Sequence, residues 1–374
     1  MKHTHGRLIE VTTVEDLDRR LARGTSSMSG WRLVGLDLRD RGPQLRGSSV
    51  AEALFLGCTF ADGDEEAVRH GGGVVMPQIP DSPVDPYRTT LYSPHDLYDT
   101  DDYSRSTDAR AYAWSTRAPD ADDLLARALH DHAIDLALTA WTAGRSIVGV
   151  MGGHALERGS QAYADAARLG HVLGRDRTVA TGGGPGAMEA ANLGAFLAGS
   201  SHPALDDAIA AVIVVPSFRP DIGGWARAAL DVVDATPDGR ASLGVPTWHY
   251  GHEPPNPFAT DIAKYFANAP REAVLLEVCT AGIVFLPGAA GTVQEIFQDA
   301  CENYYADESS VAVMVLVGRR HWTEDLPAWP LLQALARGRA MEDRIHLVDT
   351  VEEALAALEL SRLDVAGDAA SHSR

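Results

Sequence analysis

Two glycine-rich turns carry the residues of this sequence whose types and spacing could bind or transform a phosphorylated molecule. The first turn follows a β-rich run that ends at Thr181, and it leads into good helix formers with Pro185 near the first helical position. Glycines let backbone N–H groups approach a phosphate closely, and a helix N-terminus adds partial positive charge. The turn is therefore predicted to bind phosphate, with a purely structural tight turn as the alternative. Its predicted contacts are Gly182, Gly183, Gly184, Gly186 and Met188.

The same turn also matches a dinucleotide-binding pattern through Gly182, Gly184 and Ala187. That pattern needs an acidic residue at the tip of the next strand, where it binds a ribose hydroxyl. The next predicted strand ends at Val215, and the residues after it, Pro216 to Arg219, include no acid. An NAD(P)-dependent oxidoreductase is therefore disfavoured.

The second turn begins at Pro287, after an apolar run over residues 283–286. Its glycines free the backbone for contact with a phosphate, and Thr292 offers a hydroxyl. Glu295 is predicted to lie one helical turn further on and to face the same pocket. The alternative for this spacing is a capping box between Thr292 and Glu295. The predicted phosphate contacts here are Gly288, Ala289, Ala290, Gly291 and Thr292.

The elements that must position these turns follow from the pattern of apolar runs. From residue 146 onward, short β-rich runs without in-and-out patterning alternate with helical segments, which is typical of parallel strands covered by helices on both faces. The predicted fold is α/β, a Rossmann-like doubly wound parallel sheet with a small N-terminal α+β unit. Strands are predicted over residues 147–151, 178–181, 211–215, 245–250, 283–286, 311–317 and 345–348, and helices over 120–141, 261–268 and 296–305.

Composition divides the chain into four predicted segments. Residues 1–75 mix a helical pattern with alternating stretches, and residues 76–119 are a connector dense in Pro, Asp, Tyr and Ser, which favour irregular backbone. Residues 120–360 are predicted to form the Rossmann-like nucleotide-binding domain. Residues 361–374 are polar without periodicity, so a flexible tail is predicted there.

Further candidates lie in loops after predicted strands, because ligands of a doubly wound sheet bind beyond the carboxyl ends of its strands. Gly152, Gly153 and His154 follow the first strand of the predicted sheet and are predicted to contact a nucleotide. Candidate base or phosphate contacts are His154, Ser217, Arg219 and Trp248, and Trp248 or Tyr250 is a candidate to stack on the base. The candidates for the acid that protonates the leaving base are His154, His249 and His252. The alternatives are a hydrogen-bonded structural role for each histidine, a solvated loop position for Arg219 and core packing for Trp248.

At its two turns, the sequence resembles the Lonely Guy family of phosphoribohydrolases, whose members carry a G-G-G-x-x-G-x-M-like turn and the motif P-G-G-x-G-T-x-x-E. Here the first turn, Gly182 to Met188, is one residue shorter before its last glycine, and the second motif spans Pro287 to Glu295 with Ala289 in place of the second glycine. The resemblance covers about residues 146–349. Around these motifs the sequence looks closer to the bacterial branch that includes the nucleotide 5′-monophosphate nucleosidases than to the short plant enzymes.

The resemblance implies hydrolysis of the N-glycosidic bond of a nucleoside 5′-monophosphate to a free base and ribose 5-phosphate. It implies Arg271 as a catalytic residue beside Glu295, although the family pattern has an Arg-Lys pair and Glu272 follows Arg271 here. It also implies a homo-oligomer, a dimer or larger. Molybdenum-cofactor carriers of the same superfamily keep the phosphate turns without turnover, so a non-catalytic nucleotide or cofactor carrier is the alternative.

Elementary chemistry gives both catalytic candidates a role. Cleavage of the glycosidic bond develops positive charge at the anomeric carbon, where a carboxylate such as Glu295 can stabilise that charge and deprotonate the attacking water. The guanidinium of Arg271 keeps its proton and can hold a phosphate or a ribose hydroxyl, or orient Glu295. A surface arginine that caps a helix is the alternative for Arg271. This route needs no cofactor and no metal.

Composition excludes several function classes. The chain has 52 acidic and 32 basic residues and a net charge of −20, which repels nucleic acids. No apolar run reaches the length of a membrane span, so a cytoplasmic protein without a membrane partner is expected. Lys2 and Lys264 are the only lysines, which disfavours Schiff-base chemistry. The cysteines are widely spaced and predicted to be reduced, with Cys279 and Cys301 in the core.

Overall fold

The structure of this chain, a computed structural model, describes residues 9–249, 253–308 and 310–359. The chain divides into two compact units. The first contains the described residues up to Thr89 together with Pro119–Ala133, and the second contains Thr90–Ala118 and the described residues from Ile134 onward. The predicted tail over 361–374 lies outside the described residues.

The first unit contains a four-stranded sheet in which every strand is parallel to its neighbours, in the order β1-β2-β3-β4. Its register pairs Ile9 with Trp31, Arg32 with Leu54 and Leu54 with Val74, a spacing of roughly 20 residues that is typical of solenoid repeats. The elements are β1 (Ile9–Val11), α1 (Val14–Ala22), β2 (Trp31–Val34), α2 (Gly42–Gly47), β3 (Leu54–Leu56), α3 (Asp64–His70) and β4 (Val74–Met76). Each strand places one apolar residue of the column Val11, Leu33, Phe55 and Val75 in the core of this unit.

Along the chain, the elements after β4 and before the second sheet are α4 (Pro94–Leu97), a short 3-10 turn (Tyr103–Arg105), α5 (Thr107–Thr116) and α6 (Ala121–Thr142). The start of α5 is anchored within the second unit by Asp108, which is fully buried. Its carboxylate accepts a hydrogen bond from Lys264 Nζ at 2.6 Å and from Trp248 Nε1 at 2.8 Å. A buried ion pair of this kind holds the start of α5 in place within the second unit, because either charge alone would be costly to bury.

The second unit is built on a seven-stranded parallel sheet in the order β11-β10-β9-β5-β6-β7-β8. The strands are β5 (Ile147–Met151), β6 (Thr178–Thr181), β7 (Leu243–Gly244), β8 (Asp261–Ile262), β9 (Ile283–Phe285), β10 (Met314–Val317) and β11 (Ile345–Val348). The helices are α7 (Gln161–Leu173), α8 (Ala187–Phe196), α9 (His202–Val212), α10 (Ile222–Asp234), α11 (Asn268–Glu277), α12 (Ala290–Tyr305) and α13 (Ala328–Ala336), and a further helical stretch covers 351–359. The predicted fold class, an α/β protein with a Rossmann-like doubly wound parallel sheet, is confirmed.

Strand β5 is the point where the direction of winding reverses. It pairs with β6 on one side and with β9 on the other, although β9 comes much later in the chain. Open sheets of this type bind ligands at such a switch point, beyond the carboxyl ends of the strands. The two glycine-rich turns follow β6 and β9, so the topology places both of them beside the end of β5.

Several predictions made from local patterns are wrong. Residues 211–215 complete α9 and a turn, because this β-branched run is amphipathic there: Val212 is buried, whereas Val214 is 74% exposed. Residues 245–249 form a loop with one bridge, from Thr247 to Tyr265. The predicted helix over 261–268 begins instead as β8, and α11 starts at Asn268. Cys279 is buried as predicted, but Cys301 is exposed.

Among the described residues, no helix is long and apolar enough to span a bilayer.

Candidate functional site

The second glycine-rich turn presents an open helix N-terminus. Helix α12 begins at Ala290, and no side chain caps it. Pro287, Ala289, Ala290 and Gly291 are exposed to solvent. The backbone N–H groups of an uncapped first turn attract anions, because they lack partners within the helix and lie at the positive end of its dipole.

Thr292 lies in this first turn and packs against the backbone of the loop before it. Its side chain is 5% exposed, and a Cβ at Gly288 would lie only 2.1 Å from its hydroxyl oxygen. The carbonyl oxygen of Gly288 lies 3.0 Å from His321 Nε2. Glycine at 288 is therefore required by the close approach of Thr292.

Glu295 follows one turn later on α12 and is 9% exposed. It makes no hydrogen bond or ion pair within the part of the chain that the structure describes. Burial raises the pKa of its carboxyl group to about 7; the charge of Arg271 opposes this shift and the charge of Glu272 adds to it. The capping-box alternative for Glu295 is wrong, because the helix starts at Ala290 and Thr292 therefore does not occupy the N-cap position.

Arg271 joins α11 to the first glycine-rich turn. Its Nε donates a hydrogen bond to the carbonyl oxygen of Val245 at 2.5 Å, and its Nη2 donates to the carbonyl oxygen of Gly182 at 3.1 Å. The residue is only 9% exposed, so it is not the surface arginine of the alternative interpretation. Its guanidinium lies between the ends of β6 and β7 and close enough to Glu295 to favour the ionised carboxylate.

The first glycine-rich turn is buried from Gly182 to Ala187. Each carbonyl of its glycine triplet accepts a hydrogen bond: Gly182 from Arg271, Gly183 from the Asn256 backbone at 2.8 Å and Gly184 from Asn256 Nδ2 at 3.1 Å. Gly183 also donates its N–H to Thr181 Oγ1 at 2.9 Å. These bonds within the protein hold the turn in place.

Helix α8 starts directly after this turn. Like α12 it has no side-chain cap, but its first N–H group is bonded within the protein. The N–H of Ala187 donates to the carbonyl oxygen of Gly153 at 3.1 Å. Gly186 has φ +75° and ψ −128°, and a Cβ there would lie 2.5 Å from that same oxygen. Met188 packs against Gly182, since a Cβ at Gly182 would lie 2.8 Å from its sulfur.

The loop after β5 lies between the two turns. A Cβ at Gly152 would approach the Cβ of Ala187 at 2.9 Å on one side and that of Leu286 at 3.0 Å on the other. The N–H of Gly153 donates to the carbonyl oxygen of Pro287 at 3.2 Å. The three loops that carry the predicted phosphate contacts therefore form one continuous surface at the carboxyl edge of the sheet.

A cavity of about 190 Å³ brings together three further candidates, His154, Ser217 and Arg219. Gly186 and Phe218 also line it, and the guanidinium of Arg219 stacks on the ring of Phe218 at 5.2 Å from the centroid. His154 Nδ1 lies 3.2 Å from Glu253 Oε1. Neither Arg271 nor Glu295 lines this cavity, so these candidates fall into two groups.

Glu189 also lines this cavity, and it forms a buried ion pair that sequence reasoning missed. Arg158 and Glu189 are 3% and 1% exposed, and Arg158 Nε lies 3.0 Å from Glu189 Oε1. Arg158 also donates to the carbonyl oxygens of Val212, Val215 and Trp225. The pair thus fixes the loop that carries Ser217 and Arg219. No local motif marks it, because its partners come from separate parts of the sequence.

Trp248 is placed in the core. It is 2% exposed, stacks on Phe266 with ring centroids 4.5 Å apart, and has Lys264 Nζ 5.0 Å from its ring centroid. Its indole N–H is bonded to Asp108. His249 is exposed, and Tyr250 and His252 lie outside the described residues.

Glu272 is the other residue of the Glu295 site that sequence reasoning left without a role. It is 4% exposed, accepts a hydrogen bond from Asn268 Nδ2 at 2.9 Å, and lies 3.8 Å from Arg271 Nη1. The side-chain amide of Gln294 donates to its other oxygen. Within the described ranges, no three His, Cys, Asp or Glu side chains are arranged to hold a metal ion.

Comparison with known proteins gives structural matches only. No protein-family model matches the chain, and no curated protein matches it. Among solved structures, the chain is similar to two structures of the molybdenum cofactor (Moco) carrier protein from Chlamydomonas reinhardtii, at 17% and 16% identity with TM-scores of 0.37 and 0.38, over 59% of this chain and 99% of that one. It is also similar to the molybdenum cofactor binding protein from the phototrophic bacterium Rippkaea orientalis, at 14% identity and a TM-score of 0.34, over 58% of this chain and 97% of that one.

Proposed function

We propose that this chain hydrolyses the N-glycosidic bond of a nucleoside 5′-monophosphate, releasing the free base and ribose 5-phosphate. The observation that carries the proposal is Glu295, a carboxyl group buried beside Arg271 and one helical turn below the open N-terminus of α12. This arrangement offers an anion site and an acid-base group on one helix. It agrees with the resemblance of both glycine-rich turns to phosphoribohydrolases.

The 5′-phosphate binds at the start of α12 in this proposal. Ala290 and Gly291 are exposed residues in the uncapped first turn of the helix, and the helix dipole adds positive charge there. Gly153 lies beside them through its bond to Pro287. In this proposal the first glycine-rich turn, whose carbonyl groups and first helical N–H are already bonded, supports this surface instead of supplying the main donors.

Glu295 acts as the base. In its ionised form, the carboxylate takes a proton from water, the water oxygen bonds to the anomeric carbon, and the bond from that carbon to the base nitrogen breaks with its electron pair leaving on the base. Negative charge at Glu295 also stabilises the positive charge that develops on the ribose. Because the pKa of Glu295 is raised to about 7, its ionised form is present at neutral pH and is a stronger base than an ordinary glutamate.

Arg271 orients the site. Its Nε and Nη2 are held by two carbonyl oxygens, while Nη1 makes no hydrogen bond to a described residue. In this proposal Nη1, which also lies 3.8 Å from Glu272 Oε1, is the guanidinium nitrogen that binds a ribose hydroxyl or a phosphate oxygen. Its positive charge also keeps the buried Glu295 ionisable.

The test is release of base and ribose 5-phosphate from a panel of nucleoside 5′-monophosphates. We expect turnover by the parent protein, its loss in Glu295→Gln, and little change in the matched variant Glu302→Gln, which alters another acid on α12. Equal turnover by the parent and Glu295→Gln would overturn the catalytic role of Glu295. The panel also identifies the preferred base.

A nucleotide or cofactor carrier is the second candidate. It is favoured by the exposed start of α12, which can hold a phosphate whatever Glu295 does. A carrier would bind nucleotides, or a larger phosphorylated cofactor, without releasing base from any member of the panel. Calorimetric binding measured beside turnover separates the two candidates.

We also propose that the chain forms a homo-oligomer, as the resemblance implies. Sedimentation velocity of the full chain should give the mass of a dimer or larger. A sedimentation profile of monomer alone would contradict this proposal.

A further inference from the structure

His154 and Glu253 form a pair beside the first glycine-rich turn. His154 Nδ1 lies 3.2 Å from Glu253 Oε1, and the two side chains are 53% and 34% exposed, so a ligand can reach them. A Cβ at Gly184 would lie 3.4 Å from Glu253 Oε2, which places this carboxylate against the turn. A carboxylate beside Nδ1 favours a proton on that nitrogen and orients the ring. The other ring nitrogen, Nε2, makes no hydrogen bond to a described residue, which leaves it available to a ligand.

The cavity of about 190 Å³ lies beside this pair, since His154 lines it. Pockets for whole drug-sized ligands measure about 300 to 1,000 Å³, so this cavity fits a single ring system and not a complete nucleotide. Its wall includes the buried rings of Phe218 and Trp225, which pack edge to face with centroids 6.3 Å apart. The exposed Arg219 places its guanidinium 5.2 Å from the centroid of Phe218. Aromatic and guanidinium planes are the surfaces on which nucleobases stack.

The loop after β5 joins the cavity to the proposed phosphate site. The N–H of Gly153 donates to the carbonyl oxygen of Pro287, at the start of the second glycine-rich turn, at 3.2 Å. The next residue, His154, lines the cavity, and consecutive Cα atoms are about 3.8 Å apart. Gly186 also lines the cavity, and a Cβ there would lie 2.8 Å from the carbonyl carbon of His154. The ring-sized cavity therefore begins one residue along the loop that contacts the phosphate turn.

We propose that this cavity takes the base of the nucleotide and that His154, oriented by Glu253, donates the proton that the leaving base needs; this rests on the proposed function. The imidazolium form of His154 gives its Nε2 proton to a nitrogen of the base as the glycosidic bond breaks and leaves its electron pair on the base. Glu295 takes a proton from the attacking water, whose oxygen bonds to the anomeric carbon. Solvent then returns one proton to His154 and removes one from Glu295.

The first test compares two substrates of the full-length protein that differ in their leaving group. One is a nucleoside 5′-monophosphate, and the other is 4-nitrophenyl ribofuranoside 5-phosphate, whose nitrophenolate departs as an anion and needs no proton. We expect His154→Gln to lower kcat on the nucleotide at least about 100-fold and to leave kcat on the nitrophenyl substrate within a few-fold of the parent. Glu253→Gln should show the same selectivity with a smaller fall, because the ring loses only its orienting carboxylate.

The matched control is His95→Gln, which removes another exposed histidine that is paired with a carboxylate, here Asp234 at 3.1 Å. Its kcat on both substrates should equal that of the parent. An equal fall on both substrates in His154→Gln would overturn the acid role, because the loss of a proton donor does not slow a departure that needs no proton. An unchanged kcat on the nucleotide would overturn it as well.

The second test needs no turnover. Calorimetry compares the affinity for a nucleoside 5′-monophosphate with that for ribose 5-phosphate, using Glu295→Gln so that the nucleotide stays intact. We expect the nucleotide to bind at least about tenfold more tightly, because its base stacks in the cavity. Adding Ser217→Trp, whose indole fills the cavity, should remove this preference and leave the affinity for ribose 5-phosphate unchanged. A preference that is absent from the start, or that survives Ser217→Trp, would overturn the base subsite.

The two tests separate this inference from the proposed function. If the parent hydrolyses neither substrate while Ser217→Trp removes the preference for the nucleotide, the hydrolase proposal and the acid role fail and the base subsite stands. If the parent hydrolyses nucleotides and His154→Gln does so equally well, the hydrolase proposal stands and the acid role fails.

Discussion

The two glycine-rich turns share a pattern of strand, small residues and helix, yet they differ in burial and in hydrogen bonding. The turn after β6 is buried, its glycine carbonyls accept hydrogen bonds, and the first N–H of α8 is bonded to Gly153. The turn after β9 is exposed, although neither α8 nor α12 has a side-chain cap. The first turn is therefore closed by bonds within the protein, whereas the second is the turn that we propose as the anion site.

The acids on the two helices differ in the same way. Glu189 on α8 is paired with Arg158, whereas Glu295 on α12 has no hydrogen bond among the described residues. Burial raises the pKa of both carboxyls, but Arg158 offsets the shift at Glu189 through charge and hydrogen bonds together. An acid that is buried without such a partner is costly for folding, which is typical of a residue retained for function.

The largest expected effect on stability comes from breaking the ion pair of α8, the helix that follows the first turn. Glu189→Gln leaves the buried cation of Arg158 without its counter-charge, and we expect it to lower the free energy of unfolding by about 3 to 5 kcal/mol. Urea denaturation measures this. The exposed Glu157→Gln, in the same region of the chain, should stay within about 0.5 kcal/mol of the parent. A loss no larger than that of the control would show that the pair does not stabilise α8 and the loop that carries Ser217 and Arg219.

Glycine-to-alanine exchange compares the turns directly. Gly186→Ala places a Cβ against the Gly153 carbonyl oxygen at a positive φ, so we expect a loss of about 3 kcal/mol or more. Gly291→Ala meets no atom within 4 Å and lies in the first turn of α12, so stability should stay equal or rise by up to about 1 kcal/mol. Equal losses in both variants would remove the distinction between the turns.

Removing the unpaired acid should stabilise the fold in a defined pH range. The folded-state pKa of Glu295 is about 7, whereas its ordinary value is 4.5. The stabilisation that the protonated Glu295 gives to the folded state is therefore fully present below about pH 4.5 and is lost as the pH rises through 7. Glu295→Gln should therefore match the parent near pH 4 and exceed it by up to about 3 kcal/mol at pH 8. Denaturation at both pH values tests this, with Glu277→Gln as the control. A destabilised Glu295→Gln at pH 8 would contradict the account.

Proline at the first position of each helix gives the smallest and most selective effect. Ala290→Pro removes one backbone donor at a position where proline fits a helix, so nucleotide affinity should fall about tenfold with unchanged thermal stability. Ala187→Pro removes the N–H that donates to Gly153 and should destabilise the protein instead. Isothermal titration and thermal melts separate the outcomes. Unchanged affinity in Ala290→Pro would place the phosphate elsewhere.

The sequence predicts the central strands well and the site only in part. The runs at 147–151 and 178–181 match β5 and β6, because buried parallel strands appear as short apolar runs with clear ends. The run at 345–348 matches β11, a half-buried strand at the edge of the sheet. The run at 211–215 misleads, because β-branched residues also complete a buried helix face. The repeat in the first unit is a long-range spacing, which a search for short motifs does not detect.

Site chemistry was predictable where it lies within one motif. The spacing after Gly288 predicts that Glu295 lies one turn inside the following helix, and Glu295 does lie there. The helix itself starts at Ala290, earlier than the predicted residue 296. The contact of Arg271 with Gly182 depends on the order of the strands, which no local pattern contains. The first turn is closed by Asn256, which donates to Gly184, and by the carbonyl oxygen of Gly153, which accepts from Ala187. Both residues are distant in sequence from the turn, so no local pattern shows these bonds.

The most direct test of the central claim measures nucleotide binding and nucleotide hydrolysis in the same samples of parent and Glu295→Gln. We expect affinities that agree within a few-fold, because the phosphate is held by the start of α12, and a fall in turnover of at least about 100-fold in the variant. Equal turnover in the two proteins, or a parent protein that binds nucleotides tightly and hydrolyses none, would contradict it.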